Sequence, residues 1–362
     1  TILKNLGSLI RMGYEVTVIN PDTYHYYSGM GPGMLSGIYR LREIRFNVRK
    51  MTEQSGGAFI RDKATKVDPE KKCIYLKNGA TVLFNVASFN IGSTIDDPAS
   101  VFSGGPGSVH FPVKPIENLY RARRTIISRL EQGAVRILVA GGGPAGVEVS
   151  ANCRHIAEKR GGDAKITLVT ADSLLSGFDQ QFIDKARGFL EKRNVEIIEY
   201  VKLQNIYDTR AELSNGFSME FDLVFLAVGI TPPSLFRTSG LPVGPDGGLL
   251  VNENLQSVAY PHIFGGGDCI HFQPRQLKKV GVYAVRQNPV LFENLKRRLS
   301  GRTLKNFSPQ KNFMLILNMG FGSGLLKWKN VVIGGRIPFW IKDYIDRKFM
   351  RNFQVSGERN ED

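Results

Sequence analysis

Gly141, Gly143 and Gly146 stand where a strand-like run meets a helix-like one, and glycines at that spacing can hold a pyrophosphate. Arg136-Ile137-Leu138-Val139-Ala140 reads as a buried strand, and Val147 to Cys153 reads as helix. In such a strand–turn–helix, Gly141 permits the tight turn and Gly143 lets a phosphate approach the backbone. Gly146 lets the helix pack closely on the strand. The first turn of the helix then offers unpaired N–H groups and a positive dipole end to the anion. Glu148, just inside that helix, is counted with the same candidate site. A glycine-rich turn alone is weak evidence for a dinucleotide; the flanking strand and helix carry the reading.

The next strand, Ile166 to Thr170, normally closes on an acid for the adenosine ribose. Thr170 stands in its place with Asp172 two residues on, so the pattern leaves NADH and NADPH both open. A second candidate is Asp268, which follows Gly265-Gly266-Gly267. A carboxylate beside glycines can accept hydrogen bonds from sugar hydroxyls, or it can be an ordinary turn residue. Cys73, Cys153 and Cys269 are far apart and form no C-x-x-C pair, which argues against a disulfide framework, a structural zinc and a local dithiol. A reducing, cytoplasmic compartment fits that usage, and the sequence shows no secretory signal at its start.

The elements that must position these residues alternate as in an α/β protein. Thr1 to Leu6 reads as helix and Glu15 to Asn20 as a parallel strand. Together they form the second half of a βαβ unit whose first strand and glycine turn are missing from this sequence. Asn78-Gly79 between two short strand patterns predicts a hairpin. A helix over Ile116 to Gln132 precedes the strand at Val135, and strands at Ile166 to Thr170, Val195 to Tyr200 and Asp222 to Gly229 continue the alternation.

The 362 residues suffice for two or three domains. The formal charge is +15, and from Lys296 to Arg351 thirteen Lys or Arg face only Asp343 and Asp346 among the aspartates. Such a charge suits phosphates, anionic lipid or anionic cofactors. Nucleic acid is disfavoured, because neither a helix-turn-helix nor an aromatic-basic platform is visible. The longest charge-free apolar run, Asn312 to Leu326, holds three glycines and is too short to span a bilayer.

Several segments, taken together and in order, resemble the pyridine nucleotide-disulfide oxidoreductase flavoproteins. They are Val16 to Asp22, Tyr27-Ser28-Gly29-Met30, Ser88 to Thr94, Val113-Lys114-Pro115, the glycine turn, Leu226-Ala227-Val228-Gly229 and Ile263 to Asp268. The likeness is closer to type II NADH dehydrogenases and sulfide:quinone reductases, and closest to flavoproteins found fused to or beside selenide, water dikinase. It covers Leu3 to Phe353. It implies two Rossmann-like domains, with an NAD(P)H-binding domain over 113–235 inserted in an FAD-binding domain made of 1–112 and 236–300. Residues 301–362 follow as a basic, helical C-terminal segment.

The resemblance further implies roles. Asn20, Pro21 and Asp22 would lie near the adenosine end of FAD, and Gly92, Ser93 and Thr94 would line the second FAD crossover. Gly267 and Asp268 would meet its ribityl or phosphate portion, Gly281, Val282 and Tyr283 would sit near the flavin ring, and Gly229 belongs with the cofactor residues. NAD(P)H would pass a hydride to flavin, and the electrons would go on to a small-molecule acceptor, first of all a quinone. Lys114 is expected near the flavin, where its charge would stabilise the reduced ring; the other reading is a solvated linker lysine. Three departures stand out: Asn20 replaces the usual acid, the first glycine turn is absent, and Gly281, Val282 and Arg286 occupy positions where the dehydrogenases tend to carry an Ala-Gln pair and a later Gln. Cys153 is expected in the core. Cys269 leaves open a sulfur- or selenium-linked flavoenzyme, and the missing turn leaves open a non-catalytic nucleotide-binding protein.

Ile337 to Phe353 fits an amphipathic helix, with Ile337, Trp340, Ile341, Tyr344, Ile345 and Phe349 on one face and Lys342 and Lys348 elsewhere. The pattern suits a peripheral helix on anionic lipid, at the cytoplasmic face of a membrane. It equally suits docking on its own protein or a homo-oligomer interface.

Overall fold

The computed structural model describes residues 1–95 and 109–358. Its largest sheet has five parallel strands, ordered Val195–Ile198, Ala164–Val169, Val135–Ala140, Leu223–Leu226 and His110–Pro112. Ile137, Leu138, Val139 and Ala140 are all buried, as a parallel strand covered on both faces requires. The strand order reverses beside Val135–Ala140, because the chain proceeds to one side of it and returns on the other. Gly141 therefore leaves the sheet at its topological switch point, where open α/β sheets bind ligands. The helix Pro144–Lys159 follows directly and buries Val147, Val149, Ala151, Cys153 and Ile156. A three-stranded antiparallel sheet over 203–220 adds Ile206, Ala211 and Leu213 to the same core.

A second core joins segments from before and after that sheet. Phe89, Phe236, Leu249, Phe264 and Leu291 belong to it, and Ala87–Phe89 pairs in parallel with Ile263–Gly265. Asn78-Gly79 turns the expected hairpin between Cys73–Leu76 and Thr81–Leu83, with Gly79 at φ +88°. The helix Gly281–Leu299 packs its Leu291 and Leu295 into this core.

The C-terminal segment differs from the helical tail expected. Leu315–Asn318, Gly324–Trp328 and Val331–Gly335 form an antiparallel sheet before the helix Arg336–Phe353. The three glycines within the apolar run 312–326 are the reason. Gly320 and Gly322 adopt φ of +68° and +64° in the hairpin turn, which folds the run back on itself. The helix then sits the other way round from a simple amphipathic pattern. Pro338, Lys342, Asp346 and Met350, spaced four apart, face inward. Ile337, Trp340 and Tyr344 are 63%, 62% and 59% exposed. Lys342 is thus not on the solvated side, because partners described below compensate its charge inside. Ile341 and Phe349 are half-buried, and Phe349 stacks on Tyr27 with ring centroids 4.7 Å apart.

Candidate functional site

The glycine turn is built by close approach. Gly141 stands at φ +117° and donates its N–H to the Val169 carbonyl at 2.8 Å. A Cβ on Gly146 would lie 1.8 Å from the Gly141 oxygen, so only hydrogen fits there. Gly143 is different: it caps the helix at φ −73°, has no side-chain cap bond, and a Cβ on it would meet nothing within 4 Å. The helix therefore opens with free N–H groups facing unfilled space, a setting that fits a pyrophosphate. Thr170 is buried and packs behind Gly142, where a Cβ would meet its Oγ1 at 2.5 Å. Asp172, exposed in the bend beyond the strand Ala164–Val169, is the acid nearest in sequence to the expected ribose position. Gly229 follows the strand Leu223–Leu226 at φ +20°, beside exposed Val228.

A second cluster joins residues from three distant segments. Lys114 Nζ donates to Ser93 Oγ at 2.5 Å and to Asp268 Oδ2 at 3.1 Å, and Ser93 Oγ donates to the same carboxylate oxygen at 3.0 Å. Lys114 is not a solvated linker residue: its side chain is 24% exposed and that of Asp268 16%. Thr94 pairs with Thr231 through two backbone hydrogen bonds, which ties this crossover to the loop after Gly229. Gly92 at φ +68° faces open space, and Gly267 takes φ +77°. Positive φ at both favours glycine, which leaves bare backbone beside the cluster. These donors, acceptors and bare backbones fit the polar middle of a dinucleotide such as FAD.

Gly281, Val282 and Tyr283 open the helix Gly281–Leu299 beside the same cluster. Tyr283 lines one recess with Gly267, Asp268, Lys278, Lys279 and Gln287. Gln287, buried, accepts the Gly267 N–H at 2.7 Å and was not singled out by sequence reading; its only signal is a polar residue on the inward side of a helix. Asp246 was also missed. It accepts from Lys279 at 2.8 Å and lies 3.1 Å from His271 Nδ1, clasping the segment that leads into this helix. Asn20, Pro21 and Asp22 stand at and just after the end of the strand Thr17–Asn20. The Asn20 amide donates to the Asp22 carbonyl at 2.6 Å, and Asp22 lies 3.8 Å from Arg61.

Glu148 turns away from the glycine turn. Its Oε1 accepts the Asn318 N–H at 2.7 Å, which brings the C-terminal sheet against the dinucleotide helix. Burial pushes its carboxyl up to about 7, partly offset by the Lys342 ammonium and by that N–H. Lys342 donates to the Gly29 carbonyl and to Asp346 Oδ2, both at 2.8 Å. The thiol of Cys269 is buried, bonds to the Gly266 and Phe89 carbonyls, and is pushed up to about 11 by burial. Burial also raises Cys153. Neither supplies a ready thiolate.

Residues 4–287 match the family model described as pyridine nucleotide-disulphide oxidoreductase, and the chain belongs to that family. It is a flavoenzyme of the NAD(P)H-dependent, FAD-containing oxidoreductase class. A probable NADH dehydrogenase of Dictyostelium discoideum is 22% identical to it over 96% of this chain and 82% of its own length. The external alternative NAD(P)H-ubiquinone oxidoreductase B2 of Arabidopsis thaliana is 23% identical over 76% of this chain and 53% of its own. The structure of NDH2 from Plasmodium falciparum in complex with NADH superposes with a TM-score of 0.80 at 15% identity, covering 98% of this chain and 96% of that one. The sulfide:quinone oxidoreductase of Aquifex aeolicus gives 0.79 at 15% identity, covering 98% and 89%. At such identities the structural likeness speaks for the fold.

Proposed function

We propose that this chain passes electrons from NAD(P)H to a quinone at a lipid surface. The observation that carries the reading is the two-sided C-terminal helix. Its outer face exposes Ile337, Trp340 and Tyr344, and its inner face brings Lys342 towards Glu148 on the dinucleotide helix. A quinone is itself apolar and resides in lipid, so an enzyme that uses one needs such a face near its site. Exposed Trp328, Val331 and Ile333 on the adjoining hairpin extend the surface, with Lys329, Arg336, Lys348 and Arg351 around it. Among the described residues no helix is long and apolar enough to cross a membrane, so the contact proposed is peripheral.

On this reading residues 113–235 hold NAD(P)H, with Gly141, Gly143 and Gly146 at its pyrophosphate. Residues 1–112 and 236–300 hold FAD, and 301–362 carry the lipid contact. Bound FAD supplies hydride acceptance from NAD(P)H and electron delivery to the acceptor. Ser93, Gly267 and Asp268 bind the polar middle of that cofactor, and Gly281 to Tyr283 face its ring. Lys114 places positive charge where a reduced ring gains negative charge. Glu148, its carboxyl pushed up to about 7 by burial, is the group on the dinucleotide helix suited to give up a proton as an acceptor gains electrons.

The test is spectroscopic. The flavin absorbance of the full chain is recorded before and after anaerobic NADH, then after a short-chain quinone. Bleaching followed by recovery on quinone is expected. Bleaching with no recovery across several quinones would remove the quinone from the proposal.

A further inference from the structure

Lys342 and Asp346 lie one helical turn apart on the inner face of the helix Arg336–Phe353, with side chains 11% and 5% exposed. Taking an ion out of water costs several kcal/mol, and a buried pair is often no more stabilising than apolar residues of the same volume. Packing alone therefore gives little reason to keep charges here. Their geometry is specific. Lys342 Nζ is held from two sides, by the Gly29 carbonyl and by Asp346 Oδ2, both at 2.8 Å. Asp346 is itself held: its other oxygen accepts from the Tyr27 hydroxyl at 3.2 Å. A further carboxylate whose charge acts on the ammonium is Glu148, fixed by the Asn318 N–H.

We infer that Asp346 is a positioning residue, which, gripped by Tyr27, holds the Lys342 ammonium towards Glu148 so that the lipid-facing helix governs protonation on the dinucleotide helix. This rests on the site reading given above for Glu148. The groups that face one another are Glu148 from the dinucleotide helix, Tyr27 from the segment before Gly31, and Lys342, Asp343 and Asp346 from the C-terminal helix. Beyond them Arg347 lies over the Tyr39 ring and pairs with Glu43 at 2.6 Å.

Positioning and simple charge make opposite forecasts. Asp346 is an anion near Glu148, so its charge alone favours the protonated acid, and Asp346→Asn would lower the pH at which Glu148 ionises. If Asp346 works by aiming Lys342, the same change frees the ammonium, and Glu148 holds its proton to higher pH. The readout is the infrared carbonyl band of protonated Glu148, assigned by its loss in Glu148→Gln and titrated in the full chain. An upward shift of about one pH unit is expected for Asp346→Asn, a smaller one in the same direction for Tyr27→Phe, and a return in Asp346→Glu. An unchanged or lowered midpoint in Asp346→Asn overturns the inference. Should Asp346→Asn fail to fold, Tyr27→Phe decides by the same sign. No acceptor is present in this titration, so failure of quinone turnover leaves the result readable by itself.

Discussion

Lys114 Nζ lies 3.1 Å from Asp268 Oδ2, across 154 residues of chain. Ser93 Oγ bridges the two, and all three come from segments that share no secondary-structure element. A partly buried ion pair at the meeting of three loops contributes little to stability beyond its hydrogen bonds. It does keep a carboxylate and a cation ready beside the bare backbones of Gly92 and Gly267.

Removing either partner should therefore act on the cofactor more than on the fold. Asp268→Asn keeps the shape and loses the charged acceptor, so FAD affinity should fall by about ten-fold or more, the worth of a hydrogen bond to a charged group. Lys114→Met should weaken binding less and move the flavin potential to a more negative value, since reduction then proceeds without the nearby cation. Equilibrium dialysis and a spectroelectrochemical titration check the two parts. Unaltered affinity in Asp268→Asn would take the carboxylate out of the cofactor site.

The glycine turn allows a sharper separation of folding from binding. At Gly143 a methyl group meets nothing within 4 Å and the backbone is extended, so Gly143→Ala should fold as the parent does. Its methyl would stand where the pyrophosphate must approach, and NADH should bind at least about ten-fold more weakly. Gly146→Ala instead drives Cβ to 1.8 Å from the Gly141 oxygen and should lower the melting temperature of the whole domain. Calorimetry together with an NADH titration of both variants tests this. A Gly143→Ala protein with parental NADH affinity would place the coenzyme elsewhere.

How far the sequence could reveal this arrangement depended on the range of the interactions. The strand Val135–Ala140, its glycine turn and the Asn78-Gly79 hairpin are local: periodicity and backbone freedom within a few residues specify them. Lys114 and Asp268 were legible singly but not as a pair, since their meeting depends on how the two cores stack. The C-terminal helix was located correctly but its orientation stayed open, for a different reason. Hydrophobic spacing locates a helix correctly but does not say which face is inward. Here Lys342 and Asp346 neutralise each other inside while Trp340 and Tyr344 stay out. Asp246 and Gln287 could not be paired from the sequence, because their partners Lys279 and Gly267 lie far from them along the chain.

Glu148 gives a pH signature that needs no substrate. Its folded value, about 7, lies above the ordinary 4.5, so the folded chain binds this proton more tightly than the unfolded one. The stability it lends is fully present below about pH 4.5 and is lost as pH rises through about 7. Glu148→Gln keeps an acceptor for the Asn318 N–H without an ionisable proton. The fall in unfolding free energy between pH 4.5 and 7 should accordingly be smaller in Glu148→Gln than in the parent. Denaturant melts at several pH values measure it, and parallel curves for the two proteins would mean that Glu148 ionises as freely folded as unfolded.

The exposed face of the C-terminal helix makes the last forecast. Trp340 and Tyr344 are 62% and 59% exposed and lie one turn apart, so replacing both with Ser removes aromatic surface from solvent contact without opening the core. The fold should therefore keep its melting temperature. Aromatic side chains at a bilayer interface contribute apolar burial, while Lys329, Arg336 and Lys348 add attraction that salt screens. The parent should sediment with vesicles containing anionic lipid and bind less as salt is raised; the double Ser variant should remain in the supernatant at the same lipid concentration. Reduction of its flavin by NADH should stay at the parental rate, because neither residue touches the nucleotide turn, while reduction of a long-chain quinone embedded in the vesicles should fall. Equal sedimentation of variant and parent would assign this face to some other contact, and equal reduction of the embedded quinone would separate the acceptor from the lipid surface altogether.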